Sequence, residues 1–304
     1  MRRWLLAFLI GACSSHGSTA DDDGSGSGSG SGSNIDGGGG LTFAIVGDTR
    51  PASVDDVANY PTAIITTIYQ DIAATPAQFV IATGDYQYAS TTGSDQAPQI
   101  ALYMQARAPY SGPLYPAMGN HECTGYTNSN CGSGNPDGIT RNYTEFANAM
   151  LTPINQTLPY YTETVAASDN SWTAKIVVVA CNYWTDAENT WLQQQLAMPT
   201  TYTFVVRHES VADMSDAKCP DSQTIIAANP LTLLIVGHTH EYSHEKSQKE
   251  IINGIGGAPL TSGTNYGYTI VTRTPAGTLN VTTFDYSTHA VIDNFSIDAT
   301  GSAT

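Results

Sequence analysis

The chain has 304 residues, with 27 Asp and Glu against 11 Lys and Arg and a formal charge of −16 at pH 7. That balance argues against nucleic acid or an anionic lipid surface as a partner, because both repel an acidic protein. With 41% hydrophobic residues and no internal repeat, the length allows one large domain with a substantial core.

The opening residues, MRRWLLAFLIGAC (1–13), place two arginines before an apolar run too short for a comfortable transmembrane helix. That is the layout of an export signal. Ile10-Gly11-Ala12-Cys13 resembles a bacterial lipobox, which would make Cys13 an acylated residue and the lipid its only link to a membrane. Ordinary signal cleavage, giving a secreted or periplasmic protein, is the alternative. Residues 14–40 are low-complexity, rich in Gly and Ser, and read as a flexible tether. Residues 41–304 remain as the folded domain.

Five apolar, β-rich runs then read as buried strands: residues 41–47, 78–84, 112–119, 201–207 and 232–237. Residues 54–76 leave room for a helix that starts near Pro61, and residues 186–198 put Trp191, Leu192 and Leu196 on one helical face. Alternating segments at 266–274, 278–287 and 290–297 close the chain as strands. Strands mixed with helices, then a strand-rich end, predict layered α/β structure. Besides Cys13 there are Cys123, Cys131, Cys181 and Cys219. An even number in an exported domain reads as disulfides, with three connectivities open. Cys123 and Cys131 close a short loop and are the pair expected first, which leaves Cys181 with Cys219. No Cys-x-x-Cys pair is present, so a thiolate zinc site is not expected.

The residues directly after each of the five strands carry the chemistry. Asp48 comes after the first, and Asp85 with Tyr88 after the second. Asn120, His121 and Glu122 come after the third, His208 after the fourth, and His238 and His240 after the fifth. Four of the seven histidines therefore fall at strand ends. A lone Gly-Asp after a strand is usually a turn, but all five fragments in order point to bound cations. Two cations about 3.5–4 Å apart repel one another and require an anionic bridge. Asp85 can bridge them while neutral imidazoles complete each shell. One position is anomalous. Metal enzymes that open with an Asp after the first strand commonly place a His two residues later, where this chain has Arg50, which offers no lone pair.

With these motifs the chain resembles the calcineurin-like metallophosphoesterases, and within them the purple acid phosphatases. That branch lacks the early His and takes a Tyr three residues after the second Asp. Gly84-Asp85-Tyr86-Gln87-Tyr88 matches that block, and Gly119-Asn120-His121-Glu122 matches the third. Val205-Val206-Arg207-His208 and Gly237-His238-Thr239-His240 match the last two, with Tyr242 fitting the Tyr that often follows. The resemblance spans residues 43–242 and implies an αββα sandwich of two mixed β-sheets flanked by helices. It implies one metal held by Asp48, Asp85, Tyr88 and His240, and another by Asp85, Asn120, His208 and His238. A phenolate donor suits Fe(III) at the first, with divalent Fe, Zn or Mn at the second.

The activity implied is hydrolysis of small phosphate monoesters by a metal-activated hydroxide. His121 would face the phosphate as charge stabiliser or proton donor. A phosphodiesterase or nucleotide-cleaving relative with two divalent metals and Tyr88 as pocket wall is the alternative. A surface lipoprotein that binds without turnover is a further one. The chain departs from the family in having Arg50 where Gly is usual, Ser210 where Pro is common, and Ser243-His244 for a Glu-Arg pair. Arg50 either reaches a phosphate oxygen or pairs with Glu122 or another acid. Glu122 is expected to orient a histidine, Trp191 to sit in the core, His244 and His289 to be ordinary surface residues, and the loop Cys123–Arg141 to rim the pocket.

Overall fold

The computed structural model describes residues 40–263 and 265–304. The export segment with Cys13, and the tether up to residue 39, lie outside the described residues. The chain begins with β1 (Thr42–Val46), α1 (Thr62–Ala73), β2 (Phe79–Ala82), α2 (Gln96–Ala106) and β3 (Leu114–Pro116). After α3 (Arg141–Phe146) come β4 (Tyr161–Ala166), β5 (Thr173–Val178), α4 (Asp186–Ala197), β6 (Tyr202–Val206), α5 (Pro220–Ala227) and β7 (Leu233–Val236). The remainder is all strand: β8 (Tyr242–Glu245), β9 (Glu250–Asn253), β10 (Gly267–Arg273), β11 (Leu279–Asp285) and β12 (Val291–Ile297).

These strands form two six-stranded sheets, ordered β12-β11-β10-β1-β2-β3 and β4-β5-β6-β7-β9-β8. In the first sheet β1, β2 and β3 run parallel, and β10, β11 and β12 continue it antiparallel. In the second, β5, β6, β7 and β9 run parallel between antiparallel edges β4 and β8. Strands covered on both faces read as unbroken apolar runs, and the second sheet shows why. Ile176, Val178, Phe204, Val206 and Ile235 point into the core between the sheets, whereas their neighbours Val177, Val205, Leu234 and Val236 point outward. Leu192 and Leu196 of α4 and Ile226 of α5 cover that outward face. On the other side α1 buries Ile65, Ile68, Tyr69 and Ile72, and α2 buries Ile100 and Tyr103. The hydroxyls of Tyr69 and Tyr103 meet at 2.7 Å and tie the two helices together.

The order of layers is therefore helices, sheet, sheet, helices: an αββα sandwich. Phe43 of β1 stacks on Phe79 at 5.1 Å and meets Phe204 of the opposite sheet edge-on at 5.0 Å. Such pairs add about 0.5–1.5 kcal/mol beyond burial of the rings. Lys175, inside β5, is nearly fully buried, and its ammonium donates to the carbonyls of Gln195 and Met198 at the C-terminus of α4. That end of a helix carries unpaired carbonyls and partial negative charge.

All elements expected from the sequence are present, with one shortened. The third run pairs only over Leu114–Pro116, at a sheet edge, where a proline with no N–H to donate is tolerated. The structure adds β4, β5, β8, β9, α2, α3 and α5. Among the described residues no helix is long and apolar enough to cross a membrane. Disulfides join Cys123 to Cys131 and Cys181 to Cys219, as expected.

Candidate metal centre

The parallel strands of each sheet end on the same side, so the loops after β1, β2, β3, β6 and β7 gather at one rim, where open α/β sheets place their sites. A glycine precedes Asp48, Asp85, Asn120 and His238 because chains approach closely there. A side chain on Gly237 would put its Cβ 2.3 Å from Asp48 Oδ2, and one on Gly84, at φ +109°, would put it 2.7 Å from His208 Nδ1. Asp48, Asp85, His238 and His240 all have positive φ, between 51° and 72°. Left-handed backbone in non-glycine residues costs about 1–3 kcal/mol each and concentrates at functional sites.

Asp85 lies at the middle of the cluster. Its Oδ1 is 3.3 Å from His208 Nε2 and accepts the His121 backbone N–H at 3.2 Å. Its Oδ2 is 3.6 Å from Arg50 Nε and 3.8 Å from His121 Nε2. Asp48 accepts the His238 backbone N–H on both oxygens at 3.1 Å, and its Oδ1 is 3.5 Å from His240 Nε2. One ligand atom each from Asp48, Asp85 and His240 lies within 4.8 Å of the others. Asn120 Oδ1 is 3.1 Å from His208 Nε2 and 3.2 Å from His238 Nδ1, which is itself 3.2 Å from His208 Nε2. The Asn120 amide nitrogen donates to the Gly125 carbonyl at 2.7 Å, which fixes its oxygen toward the histidines.

Backbone carbonyls set the imidazoles. His208 Nδ1 is 2.8 Å from the Thr83 carbonyl and His240 Nδ1 is 2.9 Å from that of Pro259. A carbonyl only accepts, so each Nδ1 carries a proton and each Nε2, in the neutral ring, turns a lone pair inward. Lone pairs then face carboxylate oxygens in two places, His208 against Asp85 and His240 against Asp48. Oxygen and imidazole donors converging in this way are the donor set of cations of the iron and zinc kind.

The electrostatics make the same demand. Burial lifts the Asp48 carboxyl to about 6, against the pull of His208 and His240. Burial opposes charge on Asp85 too, but His208, His121 and Arg50 outweigh it and hold that carboxyl well below the usual range. For His208, burial works against the imidazolium, yet Asp85 and Asp48 overrule it and the pKa lies well above the ordinary value. The pocket selects positive charge, as a proton on His208 or as a metal cation beside it. Burial pushes His121 and His238 down to about 4.

Tyr88 stands on the Asp85 side. Its ring meets His121 edge-on at 4.5 Å, and the Arg50 guanidinium lies 4.6 Å over it. Arg50 pairs with an acid, as one of its two expected alternatives had it, and the acid is Asp85. Glu122 is a correction to expectation: it orients no histidine. Its carboxylate accepts the backbone N–H groups of Asp85, Tyr86 and Gly119, each at 2.9 Å, and so clasps the second and third loops together. Burial, with Asp85 close by, lifts its pKa to about 8. His289 is exposed and pairs with Asp71 at 3.1 Å. His244 is less ordinary, stacked on Phe295 at 3.5 Å and 3.7 Å from Asp293. Trp191 is partly buried and packs on the apolar cluster under α4 and α5.

Sequence reasoning missed several supports. Gln99 of α2 accepts the Tyr88 N–H at 2.6 Å and donates to its carbonyl at 3.2 Å. Asn142 donates to the His121 carbonyl at 3.0 Å. Neither lies in a motif; only the three- and four-residue rhythm of Gln96, Gln99, Ile100 and Tyr103 marks an inward face on α2. A cleft of about 430 Å³ opens beside Asn120 and His238, lined in part by Gly125, Tyr126 and Thr127, so the Cys123–Arg141 loop does rim the pocket.

The chain belongs to the calcineurin-like phosphoesterases, whose family model matches residues 41–242. Among solved structures it is similar to a purple acid phosphatase from yellow lupin (Lupinus luteus) seeds, with a TM-score of 0.59 and 17% identity over 85% of this chain and 54% of that one. It is also similar to a dimetal phosphatase from Danio rerio, with a TM-score of 0.57 and 10% identity over 85% of this chain and 99% of that one. The chain thus spans about half the length of the lupin enzyme. No curated protein sequence matches it.

Proposed function

We propose that the protein is an exported phosphomonoesterase of the purple acid phosphatase type, working with two metal ions. The observation that carries this reading is the double convergence of lone pairs, His208 Nε2 on Asp85 and His240 Nε2 on Asp48, around two buried carboxylates. Asp48, Asp85, Tyr88 and His240 would hold one ion, Fe(III), and Asp85, Asn120, His208 and His238 a divalent Fe, Zn or Mn. Bound there, the pair supplies Lewis acidity to a phosphoryl oxygen and to the attacking water.

The remaining steps fall to side chains. His121, buried and neutral, keeps one N–H for a phosphate oxygen. The dianionic ester raises its basicity, so the ring can take up a second proton from water on its other nitrogen; the N–H facing the ester then passes its proton to the leaving oxygen and the imidazole returns to neutral. Arg50 gives a second phosphate oxygen a charge-assisted donor, while its stacking on Tyr88 keeps the guanidinium at the Asp85 side. Export is supported by the two disulfides, and a lipid on Cys13 is tested by the mass of the mature N-terminus.

The reading is tested by a visible absorption spectrum with metal analysis on chelator-free protein, beside Tyr88→Phe. A broad visible band with iron present, lost in the variant, is the expected result. Colourless protein with about two zinc or manganese ions, indifferent to the substitution, would sink the iron assignment and favour a diesterase with two divalent metals.

A further inference from the structure

The cleft beside Asn120 and His238 continues past the candidate ligands onto Tyr126, Thr127, Asn128 and Asp216. Tyr126 is 71% exposed. A single exposed aromatic is ordinary in itself; the rigidity of the backbone beneath this one is not. The Tyr126 carbonyl accepts from Ser129 N at 3.1 Å, Ser129 Oγ at 2.5 Å and Asn182 Nδ2 at 3.2 Å. The same Asn182 amide reaches the carbonyls of Thr127 at 3.2 Å and Ser129 at 2.8 Å. The Cys123–Cys131 disulfide closes the loop, and its neighbour Cys181–Cys219 anchors both Asn182 and the segment that carries Asp216. A ring on so fixed a backbone stacks with little loss of conformational freedom. Among the described residues Asp216 is the one carboxylate lining the cleft, so a second anionic group there meets repulsion, whereas hydroxyls find an acceptor.

We propose that this cleft receives the leaving group of the ester and selects one that carries a flat ring and no second phosphate, the ring lying on Tyr126 and its polar hydroxyls on Asp216. The inference rests on the phosphomonoesterase reading above and names its substrate class.

Adenosine 5′-monophosphate and ribose 5-phosphate give a matched test, because both release a primary 5′-alkoxide and differ only in the base. In the metal-loaded protein, kcat/KM for the nucleotide should exceed that for the sugar phosphate by about tenfold, the scale of one aromatic stack. Tyr126→Ala should bring the ratio close to one, chiefly by raising the nucleotide KM, and Tyr126→Phe should restore it. Asp216→Asn should raise activity on adenosine 5′-diphosphate relative to the monophosphate. Equal kcat/KM for the matched pair in the wild type, or a ratio untouched by Tyr126→Ala, would overturn the inference while leaving the phosphomonoesterase standing. Turnover of neither compound, nor of p-nitrophenyl phosphate, would overturn both.

Discussion

At the rim of the first sheet the side chains are Asp48, Asp85, Tyr88 and Asn120, all oxygen donors, with His121 beside them. The second sheet sends His208, His238 and His240. Neither side holds a full ligand set, and contacts between ligand atoms run from sheet to sheet: Asn120 with His208 at 3.1 Å, Asp85 with His208 at 3.3 Å and Asp48 with His240 at 3.5 Å. The centre is thus a property of the interface between the sheets. Charge is divided less cleanly: against burial, Asp85 is held ionised by His208 of the other side and by His121 and Arg50 of its own. Asp48, raised by burial, is drawn down by second-sheet groups, His208, His240 and the His238 N–H.

That division is broken most severely at Asp85, the residue that both ion positions would share in the proposed centre. Asp85→Asn should lose metal and cut kcat/KM by at least about a thousandfold, roughly 4 kcal/mol of transition-state stabilisation. His240→Ala and His208→Ala should each retain one ion by metal analysis. If either single variant empties completely, the two positions are not separable. Next comes the packing that joins the sheets. Phe204→Ala should cost about 3–5 kcal/mol in denaturant unfolding, and chelation of the wild-type protein should lower its unfolding free energy as well, since an ion that binds only the folded state stabilises it. Unchanged stability after chelation would argue that the centre does not staple the interface.

The smallest effect sharpens the contrast between acids inside and outside the centre. Glu188, fully buried where β5 ends, accepts the Ala180 N–H at 2.7 Å. Burial holds its carboxyl well above the ordinary 4.5, against that N–H and with Glu209 adding to the rise. A raised acid contributes stability that is complete below about 4.5 and is lost as pH climbs through the folded-state value, by up to about 1.4 kcal/mol per unit. Glu188→Gln keeps the acceptor and removes the titration, so its melting temperature should fall less steeply with rising pH. Parallel curves for the two proteins would show that Glu188 has no part in the pH dependence.

Much of the centre was legible because its chemistry is written next to apolar runs. Asp48, Asp85, His208 and His238 each come after a strand whose burial on both faces leaves an unbroken hydrophobic signature. The parts that stayed hidden have no such signature. The Thr83 and Pro259 carbonyls that fix the imidazoles are backbone groups, which every residue has. Gln99 supports Tyr88 from a helix with a weak apolar face. In β5, Lys175 interrupts the apolar run, and only the end of α4 explains a buried ammonium there. β8 and β9 are four residues each, like β2 and β7, but their sequences YSHE and EIIN are broken by polar residues and form no apolar run. Glu122 was visible as a residue and misread in role, because the backbone N–H groups it collects come together only after folding.

The loop that carries Tyr126 departs and returns through Cys123 and Cys131, whose Cα atoms are 5.6 Å apart across a separation of eight residues. Between those cysteines the Gly125 carbonyl holds the Asn120 amide and Asn182 holds the carbonyls of Tyr126, Thr127 and Ser129, so the loop is tied to the structure beneath through its backbone. If the proposed phosphomonoesterase reading holds, side-chain exchange within this one covalently bounded stretch, its backbone contacts kept, would rewrite the preference among leaving groups.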